Sequence, residues 1–236
     1  MGGRGSFKGM GPQIPQLTGW FSWANATDTG TLSVPNLQGG SPATQSSAGL
    51  KPALSAPNGV RIGTFAASVL VLPLTAAVND NVKFGIAFWM KLANVTGTKT
   101  VLSVQNVAGG ASADKMLFLA VGNIMQVRAT AVDRRAQATN AVDTNARFIY
   151  LGIDCSKGTE ATQVLLSIDG VAESVFFSSD TAWPATLGTP TGNMFIGAST
   201  AAGASPVVAD IGDIYFFSDQ LSAADQGRLM NFNRPF

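Results

Sequence analysis

Between residues 82 and 92, Val82, Phe84, Ile86, Phe88, Met90 and Leu92 alternate with Lys83, Gly85, Ala87, Trp89 and Lys91. Six apolar side chains at a period of two cannot share one face of a helix, whose period is 3.6, but they line one face of a pleated strand. The segment is therefore predicted to be a half-buried strand carrying Trp89 on its second face. Similar runs recur at 100–105, 115–121, 124–130, 147–153, 163–168, 171–177, 194–197 and 207–217. Gly122-Asn123 and Asp169-Gly170 sit between adjacent runs, and such dipeptides mark tight hairpins. One helix is predicted, starting at Ser222. Its hydroxyl can accept from the amide of Asp225 while the Asp225 carboxylate reaches back, and Leu229 and Met230 would then face the strands. About a dozen strands without alternating helices make an all-β, antiparallel two-sheet jelly-roll sandwich with one short C-terminal helix.

A chain of 236 residues fits one large domain of this kind. Only 12% of its residues are charged, against 46% hydrophobic, so Thr, Ser, Asn, Gly and Ala must cover much of the surface. A net charge of +1 with dispersed basic residues argues against a nucleic-acid partner. The apolar stretch from Phe65 to Val78 is interrupted by Ser68, Pro73 and Thr75 and is too short to span a membrane as a helix, so no membrane partner is expected. The single cysteine, Cys155, excludes an intramolecular disulfide and reads as a core or turn residue. Arg134-Arg135 reads as part of a solvated polar loop, with an intersubunit contact as the second reading.

The first residues contain Gly2, Gly3, Gly5, Gly9, Gly11, Pro12 and Pro15, which oppose any regular element. Residues 1–24 are expected to be an extended anchoring arm, with Arg4, Phe7, Lys8, Trp20 and Trp23 making the contacts to a partner. Residues 25–236 form the sandwich, with 25–59 read as long loops around one or two short strands.

Several stretches carry a family resemblance. Lys51-Pro52-Ala53-Leu54 with Asn58-Gly59-Val60 is similar to an opening strand and turn. Phe84-Gly85-Ile86-Ala87-Phe88-Trp89-Met90-Lys91 is similar to a central strand. Tyr150-Leu151-Gly152-Ile153-Asp154 and Leu165-Leu166-Ser167-Ile168-Asp169-Gly170 resemble consecutive strands ending in a turn. Asn193-Met194-Phe195-Ile196-Gly197, Asp210-Ile211-Gly212-Asp213-Ile214-Tyr215-Phe216-Phe217 and Leu221-Ser222-Ala223-Ala224-Asp225 resemble a closing segment. Taken in order, residues 50–230 resemble the concanavalin A-like, laminin-G-type β-sandwiches, which implies a platform for binding sugar or protein.

Glucanases of that family imply a Glu-x-Asp-x-x-Glu cluster on one strand. This chain has two glutamates, Glu160 and Glu173, neither beside a strand aspartate at the spacing two catalytic carboxylates need. Histidine is absent, which removes Ser-His-Asp and Cys-His relays and leaves no zinc ligand set. The chain is thus expected to be no enzyme and to need no cofactor. A rim calcium site, as the resemblance allows, would draw on Asp180, Asp210 and Asp213; the plainer reading bonds Asp210 and Asp213 to local backbone amides. Glycan stacking would fall to Trp89 and Trp183, for which burial in a core or an interface is the plainer reading.

An arm, one sandwich, a neutral surface and no catalytic set together suggest a virion structural protein assembled in the host cytoplasm. It would be a bacteriophage capsid-decoration or tail fibre/spike subunit, bound to other virion proteins and oligomeric, as a trimer by analogy with such particles. The alternative is a carbohydrate-binding module or lectin for host polysaccharide. The two overlap, because a decorating subunit can also bind glycan.

Overall fold

Alternating apolar residues need a second apolar layer to bury against, and the chain supplies it by folding its strands into two stacked antiparallel sheets. The computed structural model describes residues 12–73, 82–105, 114–129, 134–178, 182–187, 193–232 and 234–236. In chain order the first strands are β1 (Leu17–Phe21), β2 (Thr27–Asp28), β3 (Leu32–Val34), β4 (Ala43–Gln45), β5 (Ala53–Ser55) and β6 (Ile62–Ala66). Next come β7 (Leu70–Leu72), β8 (Lys83–Leu92), β9 (Thr98–Gln105), β10 (Asp114–Val121), β11 (Ile124–Ala129) and β12 (Arg134–Ala141). Then follow β13 (Arg147–Asp154), α1 (Glu160–Gln163), β14 (Val164–Ile168), β15 (Val171–Ala172), β16 (Val175–Ser178), β17 (Met194–Ile196), β18 (Val208–Phe217) and α2 (Ala223–Asn231).

One sheet has eight strands, ordered β15-β14-β13-β8-β18-β6-β5 with β1 also on β18; the other has ten, ordered β16-β12-β11-β10-β9-β17-β7-β4-β3-β2. The expected antiparallel sandwich is what the chain forms. Both predicted hairpins are present. Asp169 and Gly170 have φ of 54° and 78°, the paired positive values of a type I′ turn. The 171–177 run is not one strand, however. β15 stays on the eight-stranded sheet and β16 crosses to the other. Residues 25–59 hold four short strands where one or two were expected. Arg134-Arg135 begins β12 instead of lying in a loop.

The main core lies between the sheets. It takes Phe84, Ile86, Phe88, Met90 and Leu92 from β8, Ile149, Leu151 and Ile153 from β13, and Phe118, Met125 and Val127 from the facing sheet. The forecast of a half-buried β8 is too simple, because its other face is buried too. Ala87 and Trp89 join Phe148, Tyr150, Tyr215 and Phe217 in a second apolar layer outside the eight-stranded sheet. That layer is closed by Ile14 and Trp20 from the front of the chain and by Leu221, Leu229 and Phe232 from its end. Helix α2 starts as expected, with Ser222 Oγ accepting from Asp225 N at 3.2 Å. The Asp225 carboxylate accepts a hydrogen bond from the Ser222 hydroxyl at 2.7 Å.

The boundary at residue 24 does not hold. β1 pairs with β18 through Trp20↔Tyr215 and Phe21↔Ile214, so residues 17–21 belong to the eight-stranded sheet. A bulge in β18 between Ile211 and Ile214 explains how they are held. Such a bulge takes groups out of the ladder. Here Trp23 Nε1 donates to Gly212 O at 2.8 Å, and Asp213 accepts from Trp23 N and Trp20 Nε1, each at 2.9 Å. Gly63 on β6 makes room for the Trp23 indole, since a Cβ there would overlap the Trp23 ring.

Candidate functional site

Trp20 stacks on Tyr215 with ring centroids 5.9 Å apart and meets Phe232 edge-on at 5.4 Å. Trp23 is fully buried and lies edge-on to Phe65. Both serve the protein's own core, so their assignment as partner anchors is corrected. Arg4, Phe7 and Lys8 lie outside the described residues.

The two glycan candidates are also internal. Trp89 is 5% exposed, packed on Phe148 and covered by the Arg234 guanidinium 5.0 Å from its ring centre. Trp183 is 4% exposed and packs edge-on against Phe177. Neither presents a ring face to solvent. Sequence alone could not decide this, because the layers that bury them come from distant segments.

The carboxylates are engaged as well. Glu160 Oε1 accepts from Arg134 Nε at 3.1 Å and Oε2 from Arg134 Nη2 at 2.5 Å, and Trp183 N also donates to Oε1. The Arg134 guanidinium holds the Glu160 carboxyl below its ordinary range, against the opposing effect of burial. Arg134 itself is buried and lies 5.2 Å over the Phe177 ring. Glu173 accepts from Asn140 N at 3.2 Å. Asp210 accepts from Thr64 Oγ1 at 2.7 Å, so Asp210 and Asp213 bond to distant residues instead of local amides. Asp180 lies outside the described residues, and among those described no cluster of three or more His, Cys, Asp or Glu could hold a metal ion. Cys155 is buried, as expected.

Among the described residues, what remains is one margin of the ten-stranded sheet. The second apolar layer covers the outer side of the eight-stranded sheet. A small cluster of Val69, Phe195 and Ala198, with Leu50 and Val71 against it, covers the β17–β7 part of the other outer side. At the opposite margin, alternation on β16 turns Phe177 inward and Phe176 outward, and Phe176 is 62% exposed.

The register places its neighbours. Phe176 stands opposite Gln137, and Gln137 opposite Gln126. One step along the strands, Ser178 faces Arg135, Arg135 faces Arg128, and beyond β10 the same row reaches Ser103. The result is an exposed ring beside the half-buried Gln137, Arg135, Arg128 and Ser178, while Gln126 and Ser103 on the same rows are buried. Sequence reasoning missed Phe176, Gln137, Gln126 and Arg128. The parity of Val175-Phe176-Phe177-Ser178 was the available signal, since one Phe of such a pair must face outward.

No family model matches the sequence, and no curated protein matches it. Solved structures do resemble it in fold. Trypanosoma rangeli sialidase in complex with 2,3-difluorosialic acid is 14% identical at a TM-score of 0.64, over 94% of this chain and 33% of that one. The binding domain of botulinum neurotoxin DC in complex with SialylT is 10% identical at 0.58, over 93% and 52%. The CBM40 of Ruminococcus gnavus IT-sialidase bound to α2,3-sialyllactose is 15% identical at 0.51, over 65% and 85%. The chain thus spans about a third of the sialidase chain and about half of the neurotoxin domain. At these identities the likeness is one of fold.

Proposed function

We propose that this protein is a non-catalytic carbohydrate-binding β-sandwich, a lectin or binding module, that holds glycan on the outer margin formed by β11, β12 and β16. The observation that carries this reading is Phe176. It is a large aromatic ring left in solvent beside the half-buried Gln137, Arg135 and Ser178. A sugar ring has one apolar face and a rim of hydroxyls; the first stacks on an aromatic side chain, and the second needs planar donors and acceptors such as Gln137. Two of the structures similar in fold are complexes with sialylated glycans, which supports sugar as the ligand class.

Catalysis is not part of the proposal. Both glutamates are committed to structural hydrogen bonds, and the chain has no histidine to act as base. The expectation of a virion subunit loses its main support, because it leaned on an arm reaching residue 24, and residues 14–23 of that arm contribute to the sandwich.

A glycan array probed with the full chain tests the reading. Retention of at least one glycan class, weakened about tenfold by Phe176→Ala, is expected. Retention unaffected by that substitution would move the site elsewhere, and absence of any retention would remove the function.

A further inference from the structure

We propose that the Trp89 ring is a second sugar site, selective for uncharged saccharides, over which residues 234–236 lie as a displaceable strap. It shares the ligand class of the reading above but none of its residues.

Trp89 projects from β8 to the outer side of the eight-stranded sheet. Phe148 packs against its ring, and the Arg234 guanidinium lies over it, 5.0 Å from the centre. The indole N–H is buried and has no hydrogen-bond partner, a cost that an acceptor on a ligand would remove. The Trp183 N–H is unpartnered too, but Trp183 lies in the core between the sheets.

The cover over Trp89 is held by packing. Arg234, Pro235 and Phe236 make no hydrogen bond or ion pair with the described residues. Arg234 is exposed, and a cation over a ring is a weak contact in water. Pro235 is buried against Gly212, where a Cβ would come within 3.1 Å of the proline ring. Phe236 sits half-buried against the outer layer. The front of the chain shows the contrast, because Trp20 and Trp23 are tied by hydrogen bonds to Asp213 and Gly212. Segments without such ties open at low cost.

A polar strip runs beside the ring. Lys91 lies two residues along β8 on the same face, exposed and without a hydrogen bond or ion pair among the described residues. It stands opposite Asp210 on β18, and Asp210 stands opposite Thr64 on β6. One Asp210 oxygen accepts from Thr64 at 2.7 Å, and the other has no partner among the described residues. Strand geometry sets the roots of Trp89 and Lys91 about 7 Å apart, with Asp210 about 5 Å across from Lys91. A sugar ring stacked on the indole would thus find a donor and an acceptor for its hydroxyls. Lys91 and Asp210 balance in charge, and the carboxylate opposes an acidic sugar, so an uncharged one is selected.

The test silences the margin site with Phe176→Ala and loosens the strap with Arg234→Ala and Pro235→Gly, in the full chain. An array of matched uncharged and acidic glycans is then probed, with acrylamide quenching to report tryptophan opening, since all four tryptophans start buried. The expected result is added quenching and retention of uncharged glycans at least about threefold above Phe176→Ala alone. Trp89→Phe, which keeps a ring and removes the N–H, should reverse the gain. Lys91→Ala gives a second reading at an exposed position should Trp89→Phe alter folding. Unchanged quenching overturns the strap, and quenching without gained retention overturns the site. A gain confined to acidic glycans overturns the selectivity. Glycan retained by the wild type but not gained on loosening leaves the margin reading standing alone. Retention by the loosened chain where the wild type shows none supports the strap site and removes the margin. Retention by no variant overturns both.

Discussion

The indole nitrogen of Trp20 donates to Asp213 Oδ2 at 2.9 Å, across 193 residues of sequence. Asp213 Oδ1 accepts from Trp23 N at the same distance, so one buried carboxylate holds both ends of the turn that follows β1. This contact decides that the front of the chain is part of the domain. Asp213→Ala leaves the buried Trp20 N–H and the Trp23 amide without an acceptor and should cost about 2–4 kcal/mol. Chemical denaturation measures it, and a loss below about 0.5 kcal/mol would show that β1 is held by its ladder alone.

Gly63 and Trp23 give a sharper test of the same region. A Cβ at residue 63 would overlap the Trp23 ring, whose nitrogen is tied to Gly212 O and cannot swing aside without losing that bond. Gly63→Ala should therefore destabilise by about 2–3 kcal/mol despite adding only a methyl group. Combining it with Trp23→Ala should cost less than the sum of the two single changes, because the overlap is then gone.

Acid should weaken the protein through Glu160. Its folded pKa lies below the ordinary value because Arg134 sits against it, so the pair contributes fully above the usual glutamate range. That contribution is lost as pH falls through the depressed folded value. Asp143 behaves alike, held at about 2 by Arg147. Calorimetry from about pH 7 to about pH 3 should show a melting temperature that declines below about pH 4.5. Glu160→Gln should flatten part of that decline; an equally steep fall in the variant would exclude Glu160 as a source.

Trp89 and Phe176 should separate stability from binding. Trp89→Ala opens the second apolar layer and should cost about 3–5 kcal/mol, as large aromatic deletions do in packed interiors. Phe176→Ala removes an exposed ring and should leave the unfolding free energy within about 0.5 kcal/mol of the wild type. Equal losses in the two variants would mean that Phe176 is covered in solution.

Helix α2 closes the outer layer through Leu229, and Ser222 caps it. Ser222→Ala should cost about 1 kcal/mol. Ser222→Asp should restore most of it, read by the same thermal melts.

Much of the architecture was legible from local pattern. The period of two in β8, the Asp169-Gly170 turn and the Ser222 cap each follow from contacts within a few residues, and all three form as expected. Side-chain roles in the candidate site were not legible in the same way. Trp89 looked outward because alternation assigns a face without saying what covers it, and the cover comes from residues near both chain ends. Arg134 and Arg135 looked like loop because their strand partners lie on β11 and β16, and nothing in the dipeptide itself reveals them.

The amino-acid order by itself determined the two-sheet sandwich, its hairpins and its terminal helix, and it removed histidine-dependent catalysis by composition. Tertiary structure alone decided that the four tryptophans are internal, that the front of the chain is a strand, and that Phe176, Arg135 and Arg128 share one outer margin. The physical reason is range. Periodicity and turn preference act over two to four residues, whereas burial and cross-strand neighbourhood depend on segments brought together from across the whole chain.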